Sequence, residues 1–349
     1  MPCQSSYIGV AASSDYLDFD GLPGQSRRRL SNTPESHAAV AALLIASCRD
    51  DRDAVVVLEA SGGCERGLHR VLVEAGVPAA IVNPQQVREF ARSQGLRAKT
   101  DRVDAHAIRK FGEVRRPRPT ALPDPVRAEL IELLNYRDQI VAEIAARTLQ
   151  RGHLTSAFVI KQAEAALERL RRDAEMLERV IEATVASDPE LTRRAGLLTS
   201  FPGAGPLVAA VLVADMPELG TLNERQVASL AGVAPFACDS GKMRGVREIA
   251  GGRPKVRRAL FHVARVGLRW NPALRKLAER LKARGKPGKV ILVACMRKAL
   301  VILNAMLKDA APWDPDHEAK KAERAREAKA ATAGPAQSDE VVGTSLAAS

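Results

Sequence analysis

Aromatic side chains are scarce: Phe, Trp and Tyr make up 3% of the 349 residues. Base stacking is therefore not expected to dominate any nucleic-acid contact. Cysteine is thin and scattered, at Cys3, Cys48, Cys64, Cys238 and Cys295. No CxxC pair or Cys/His spacing is present, which excludes the common zinc modules and a secretory disulfide framework. Reduced thiols in a cytoplasm are the expectation. No signal peptide and no apolar run long enough to cross a bilayer is found, so no membrane partner is expected. Acids are outnumbered, 41 against 53 Lys and Arg, giving a net charge of +12. That balance points to a polyanionic partner, with nucleic acid the first candidate, although a merely basic protein shows the same excess. The hydrophobic content of 46% is ample for buried cores, and the length suits two domains with an elongated connector.

The stretch AKTDRVDAHAI, residues 98–108, reads as the opening of a helix capped by Thr100. Asp101 and Asp104 stand three apart and so share a face, beside Lys99 and Arg102. Two close carboxylates repel unless a cation lies between them, which makes the pair a candidate metal site. A solvated first turn, its acids suiting the helix dipole, is the other reading.

Before that helix, YIGVAA at 7–12, YLDFD at 16–20 and residues 27–31 read as three antiparallel strands, and 35–48 as a helix. AVVVL at 54–58 is a continuous apolar run, as in a strand buried on both faces. It ends at Glu59 before the Gly-rich ASGGCE, where α/β sheets place ligands. A helix at 64–75, a strand AAIVN and a helix from Pro84 follow. That is the element order of a ribonuclease H-like fold, which gathers acids at its first strand, its fourth strand and a late helix. Glu59, Asp101 and Asp104 supply three of four. The first-strand place is Ala11; Asp15 and Asp18 lie further along and are not expected to occupy the same point.

The pattern IGVxxSxDxLD, Glu59 after VVVL, the block NPxxVRxFARSxGxxAKTDxxDAxxIxxFG at 83–112, and a distal block resemble transposases of the insertion-sequence 110 family over roughly residues 7–310. The resemblance implies a RuvC-like "DEDD" recombinase guided by a bridge RNA, acting on donor and target DNA in a bacterial cytoplasm and nucleoid-associated when bound to DNA. It implies Mg2+ in a two-metal site held by Glu59, Asp101 and Asp104. It also implies a coiled-coil homo-oligomer, a dimer that becomes a tetramer in the synaptic complex. In the family the Ala11 position is a metal-binding aspartate. A naturally degenerate copy and a replacement made to trap an uncleaved complex both account for the alanine; the intact remainder favours replacement. Either way, impaired catalysis is expected.

PRPTALPDP, 117–125, reads as a linker. Leu130, Leu133, Arg137, Ile140 and Ile144, then Leu167, Leu170, Ala174, Leu177 and Ile181, keep the spacing of an a/d seam broken near Gly152. Two helices in a hairpin fit, packing on each other or on a second copy, with Arg147, Arg151, Arg169, Arg171 and Arg172 at the surface. PGAGP within 197–216 resembles a helix-hairpin-helix element, in which Gly203 and Gly205 would let backbone amides approach a phosphate; a plain tight turn reads the same way. In the block 227–264, Ser240 stands among Lys242, Arg244, Arg247, Arg253, Lys255, Arg257 and Arg258. Alone it reads as a turn residue or phosphate contact; the resemblance makes it the nucleophile that forms a phosphoserine link to DNA, in a composite site shared between subunits.

The expected organisation is a RuvC-like metal-binding nuclease domain at 1–115, a linker with coiled-coil helices for oligomerisation at 116–190, a mostly helical transposase domain carrying Ser240 at 191–312, and a disordered tail at 313–349. The fold class is α/β plus α. Two other readings stay open: a RuvC-like junction nuclease using the acids and water without the serine, and a catalytically dead nucleic-acid-binding protein.

Overall fold

The computed structural model describes residues 6–47, 54–95, 101–236, 239–240, 243–245 and 247–316, with the backbone alone at 25–26, 47, 101–103, 239–240 and 243–244. Internal contacts divide the chain into two compact units, Met1–Pro123 and Asp124–Ser349.

The first unit is built on a five-stranded sheet, ordered β3-β2-β1-β4-β5. Strands β1 (Ser6–Ala12), β2 (Tyr16–Leu22) and β3 (Gln25–Ser31) form an antiparallel meander. Strands β4 (Ala54–Glu59) and β5 (Ala79–Val82) add in parallel beside β1. Strand residues alternate between faces. Ile8, Val10, Leu17, Phe19, Val56 and Leu58 pack with α1 (Pro34–Ser47) and α2 (Arg66–Glu74). Val57 and Val82 pack on the other face with α3 (Pro84–Ser93) and α4 (Asp101–Arg115). The unbroken apolar run of β4 is thus explained, since both its faces are covered. The linker is not free throughout: Thr120 donates its amide to Ala79 and accepts from the Ile81 amide at 3.0 Å. The buried His69 ring lies 2.9 Å from the Thr120 carbonyl.

The second unit is helical. Helices α5 (Pro125–Arg151) and α6 (Ala157–Ala186) form a hairpin whose arms pack on each other within the chain. Arg137 reaches Glu178 at 2.6 Å, and Arg151 pairs with Glu164 near the tip. Leu130, Ile140, Leu167, Ala174 and Ile181 are buried as the seam requires, but Leu134 takes the buried place expected of Leu133. The base of α5 explains that shift, because Leu130 and Leu134 enter the core of the helical unit. That core also takes α7 (Pro189–Thr199), α8 (Pro206–Asp215), α9 (Glu224–Leu230), α10 (Pro254–Trp270), α11 (Pro272–Ala283) and α12 (Gly288–Lys308).

Helix α12 corrects one expectation. With 21 residues it is long and apolar enough to cross a membrane. Cys295, Ala299, Leu300 and Leu303 on it are fully buried, so its apolarity serves the core. Asn304 fixes its register, accepting the Gly220 amide at 2.8 Å and donating to Leu222 at 2.9 Å. Trp313, placed at the head of the tail, is held on this core: its ring meets Phe201 edge-on at 5.1 Å and its amide donates to Ser200. The tail from 317 lies outside the described residues, as do Cys3, Cys48 and Cys238.

Candidate active site

Two glycines decide how the acid-bearing helix meets the sheet. A side chain on Gly9 would overlap the Ala105 carbonyl and the Arg109 amide of α4. One on Gly112 would come within 2.8 Å of Val57 and 3.0 Å of Tyr7. Helix α4 therefore lies hard against β1 and runs opposite to it. Its C-terminal turns cover Tyr7, and its N-terminal turn, with Asp101 and Asp104, extends toward the carboxyl end of β1. Val10 pairs with Leu58, so Ala11 and Glu59 stand side by side one step further on. Adjacent strands are about 4.8 Å apart. Ala11, Glu59 and the head of α4 thus converge at one edge, at the carboxyl ends of the parallel strands.

Of these, Glu59 and Asp104 are half-buried and each makes a further interaction. The side chains of Asp101 and Arg102 are not described, and Thr100 and Lys99 lie outside the described residues. Clustered oxygen donors suit a hard divalent cation. Ala11, beside Glu59, is half-buried against the α4 side of the sheet and brings no carboxylate to this edge. Among the described residues, no group of three or more His, Cys, Asp or Glu could hold a metal ion.

A different carboxylate stands opposite the gap. Asp18 pairs directly with Ala11 across β1 and β2, closer than the sequence suggested. It is buried and tied to Arg29, at 3.0 Å from Nε and 2.7 Å from Nη2. Its charge is already matched, so it is a poor stand-in for the missing ligand.

Asp20, two residues on, faces α4. Its Oδ2 lies 2.6 Å from Arg109 Nε and 2.9 Å from His106 Nδ1, and Arg27 lies 3.6 Å from its other oxygen. Burial pushes this carboxyl up, but hydrogen bonds and charge from Arg109 and His106 outweigh it and hold the group below its ordinary value. The pair ties the acid-bearing helix to β2. Because the native value is depressed, the stabilisation is present above the unfolded value of 3.8 and is lost as pH falls through the native one. Asp20→Asn is expected to lower stability at pH 7 by about 2 kcal/mol, by leaving Arg109 and Arg27 facing a neutral amide. The gap from the unsubstituted chain should shrink below pH 4, as urea unfolding across pH would show. Sequence reading missed Asp20, His106 and Arg109; the two strand aspartates at period 2 were the available signal.

The Gly-rich turn after β4 is organised by Glu65, whose buried carboxylate accepts the amides of Ser61 and Gly63, each at 3.0 Å. That bracket fixes how β4 ends and hence where Glu59 stands.

The helical unit places the remaining candidates. Ser240 lies in β7 (Asp239–Ser240), which pairs with β8 (Met243–Arg244). A second pair, β6 (Pro235–Phe236) with β9 (Glu248–Ile249), closes the loop's base. The side chains of Ser240 and Arg244 are not described, and Lys242 lies outside the described residues. At the neck, Gly232 and Gly252 pack backbone to backbone at φ of +69° each, where a side chain on either would overlap the backbone of the facing turn.

The cations around this loop separate into two groups. Arg247 is exposed. Arg253, Lys255, Arg257 and Arg258 are engaged within the chain. Arg253 donates to both Glu218 oxygens at 2.7 Å and to the Asp215 carbonyl at 2.8 Å. Arg257 donates to Gly251, and Arg258 to Asp138 at 3.1 Å. Lys255 lies 3.8 Å from Asp215, whose carboxyl burial pushes upward despite Lys255, Arg253 and Arg127. At the PGAGP turn, Gly203 has φ +115° and abuts the α10 backbone at Val263 and Gly267, so packing requires it; Gly205 is exposed.

Comparison with known proteins assigns the class. A family model described as Transposase, of the IS110 DEDD type, matches residues 17–159, beginning just past Ala11. A second, described as Transposase IS116/IS110/IS902 family, matches residues 195–279. The chain is similar to the pilin gene-inverting protein of Moraxella bovis, 29% identical over 264 residues, which are 74% of this chain and 81% of that one. It is also similar to the insertion element IS110 uncharacterized 43.6 kDa protein of Streptomyces coelicolor, 26% identical over 319 residues, 82% of this chain and 75% of that one. Both matched models are of transposases, so the class of protein is a DNA transposase. The chain belongs to the IS110 family of transposases.

Proposed function

We propose that this chain is an RNA-guided DNA recombinase. It would bind a structured bridge RNA together with donor and target DNA, and exchange strands through a covalent link to Ser240. The first unit serves as the ribonuclease H-like, metal-binding half. Glu59, Asp101 and Asp104 would hold Mg2+, in a two-metal site once the fourth ligand is present. The bound cations would lower the pKa of the attacking hydroxyl and offset charge on the phosphate. The DEDD type of the matched family supports divalent-metal dependence. The α5–α6 hairpin would serve oligomerisation through its exposed face, where Phe158, Leu149 and Met176 are open to solvent. Lys99, Arg102, Lys242, Arg244 and Arg247 would hold nucleic-acid backbones.

The observation that carries this reading is the convergence of Ala11, Glu59 and the head of α4 at one strand edge, in a chain whose helical unit matches the transposase family. Sequence choice would then rest with base pairing rather than with side chains. The test is to express the chain with the non-coding flank of its own element and measure donor-DNA binding by mobility shift. Binding should need the flank-derived RNA, and recoding the guide loop should redirect it. DNA binding of equal strength without RNA would refute guidance.

A junction nuclease using the same acids is the second reading, favoured by the pairing of Arg253, Arg257 and Arg258 within the chain. Ser240→Ala separates the two. It should abolish strand joining in a recombinase, by a thousand-fold or more on the order expected for a lost nucleophile, and leave a nuclease unchanged.

A further inference from the structure

Helix α10 buries Val256, Ala259, Leu260, Val263, Ala264 and Gly267. Its opposite face should be polar, as on any surface helix. Instead it exposes Arg258, Phe261, Arg265, Arg269 and Trp270. Arg258, Phe261, Arg265 and Arg269 are spaced three and four apart and share one stripe, and Trp270 follows at the end of the helix. Trp270 is 65% exposed and Phe261 38%. The Arg269 guanidinium lies over the Trp270 ring at 5.4 Å, and the Phe261 and His262 rings meet edge-on at 5.6 Å. No Asp or Glu occurs in α10. Among the described residues, Arg265 has no ion-pair partner, and exposed Arg275, Lys276 and Arg280 continue the charge onto α11. In a chain with so few aromatics, one exposed ring on a cationic stripe and a second against the arginine at its end need a reason beyond the fold.

We propose that this surface binds an unpaired nucleic-acid strand, with Arg265 and Arg269 on phosphates and the Phe261 and Trp270 rings stacked on bases. Charge complementarity selects a polyanion. Exposed ring faces select unpaired bases, because a duplex keeps its base faces covered. The inference deepens the reading of the chain as a nucleic-acid enzyme: strand exchange and guide loops both present unpaired bases.

Tryptophan fluorescence tests it directly, since the chain has two tryptophans and Trp313 is packed on Phe201. The full chain carrying Trp313→Phe is titrated with oligo(U), oligo(dT) and a duplex of the same length. Trp270→Phe in an otherwise unchanged chain is the control and should lose the signal; it also serves if Trp313→Phe fails to fold. The single strands should quench Trp270 saturably and the duplex should not. Stronger quenching by oligo(U) than by oligo(dT) would assign the strand to RNA, and the reverse to DNA. Phe261→Ala should weaken single-strand binding about ten-fold. Arg265→Ala should reduce the slope of log affinity against log salt by about 0.7. Equal quenching by the duplex would overturn the proposal. So would no quenching where a mobility shift shows binding, and that outcome would leave the recombinase reading standing. Quenching that follows protein concentration without nucleic acid would assign the stripe to a second copy instead, and would also overturn it.

Discussion

Replacing Ala11 by aspartate is expected to raise divalent-metal-dependent DNA cleavage by about a hundred-fold or more. The reason is local. Ala11 stands beside Glu59 at the carboxyl ends of two parallel strands, under the end of α4 that carries Asp101 and Asp104. On the proposed reading, a carboxylate there would add both a ligand and a charge to Glu59, Asp101 and Asp104. Metal-ion stabilisation of a phosphoryl transition state is worth several kcal/mol, and each 1.36 kcal/mol is ten-fold in rate. The added charge faces Asp18 across the strand pair, but Asp18 is held by Arg29, so repulsion should not undo the gain. Calorimetric titration with Mn2+ should show about ten-fold tighter binding in Ala11→Asp. Equal affinity in both chains would move the metal site elsewhere.

The second large effect concerns Gly9. A methyl group there cannot be accommodated by a side-chain shift, because what it meets is backbone, the Ala105 carbonyl and the Arg109 amide. Helix α4 must lift from β1. Gly9→Ala is therefore expected to destabilise the first unit by about 3 kcal/mol, the upper part of the range for overpacking. The displacement would also loosen Asp20 from His106 and Arg109 and carry Asp104 away from Glu59. Hydrogen exchange resolved along the full chain should show faster exchange across β1 and α4, with α8, α10 and α12 unchanged. Unaltered protection in α4 would mean that the helix does not depend on that close approach.

Much of this was readable from residue patterns. The continuous run at 54–58 announced a strand buried on both faces, with Glu59 at its end. The block at 98–108 placed two acids on a helix start. The glycine contacts were not readable, because Gly9 and Gly112 look like ordinary strand and helix residues until α4 is seen lying on β1. Asp18 and Asp20 were hidden for a related reason: strand register, not chain distance, puts Asp18 opposite Ala11 and Asp20 under His106. Arg253, Lys255, Arg257 and Arg258 looked like a phosphate-binding run. Their hydrogen bonds and ion pairs are to Glu218, Asp215, Gly251 and Asp138, partners scattered along the chain. The α10 stripe escaped notice because its aromatics are few and its period shows only once the buried face is known.

The most direct test of the central claim uses the Ala11→Asp chain with its element's RNA, labelled donor and target DNA, and Mg2+, run on denaturing gels. The account predicts a covalent protein–DNA adduct that disappears when Ser240→Ala is added and when the metal is chelated. Cleaved DNA without an adduct, indifferent to Ser240, would contradict it and make the enzyme a nuclease.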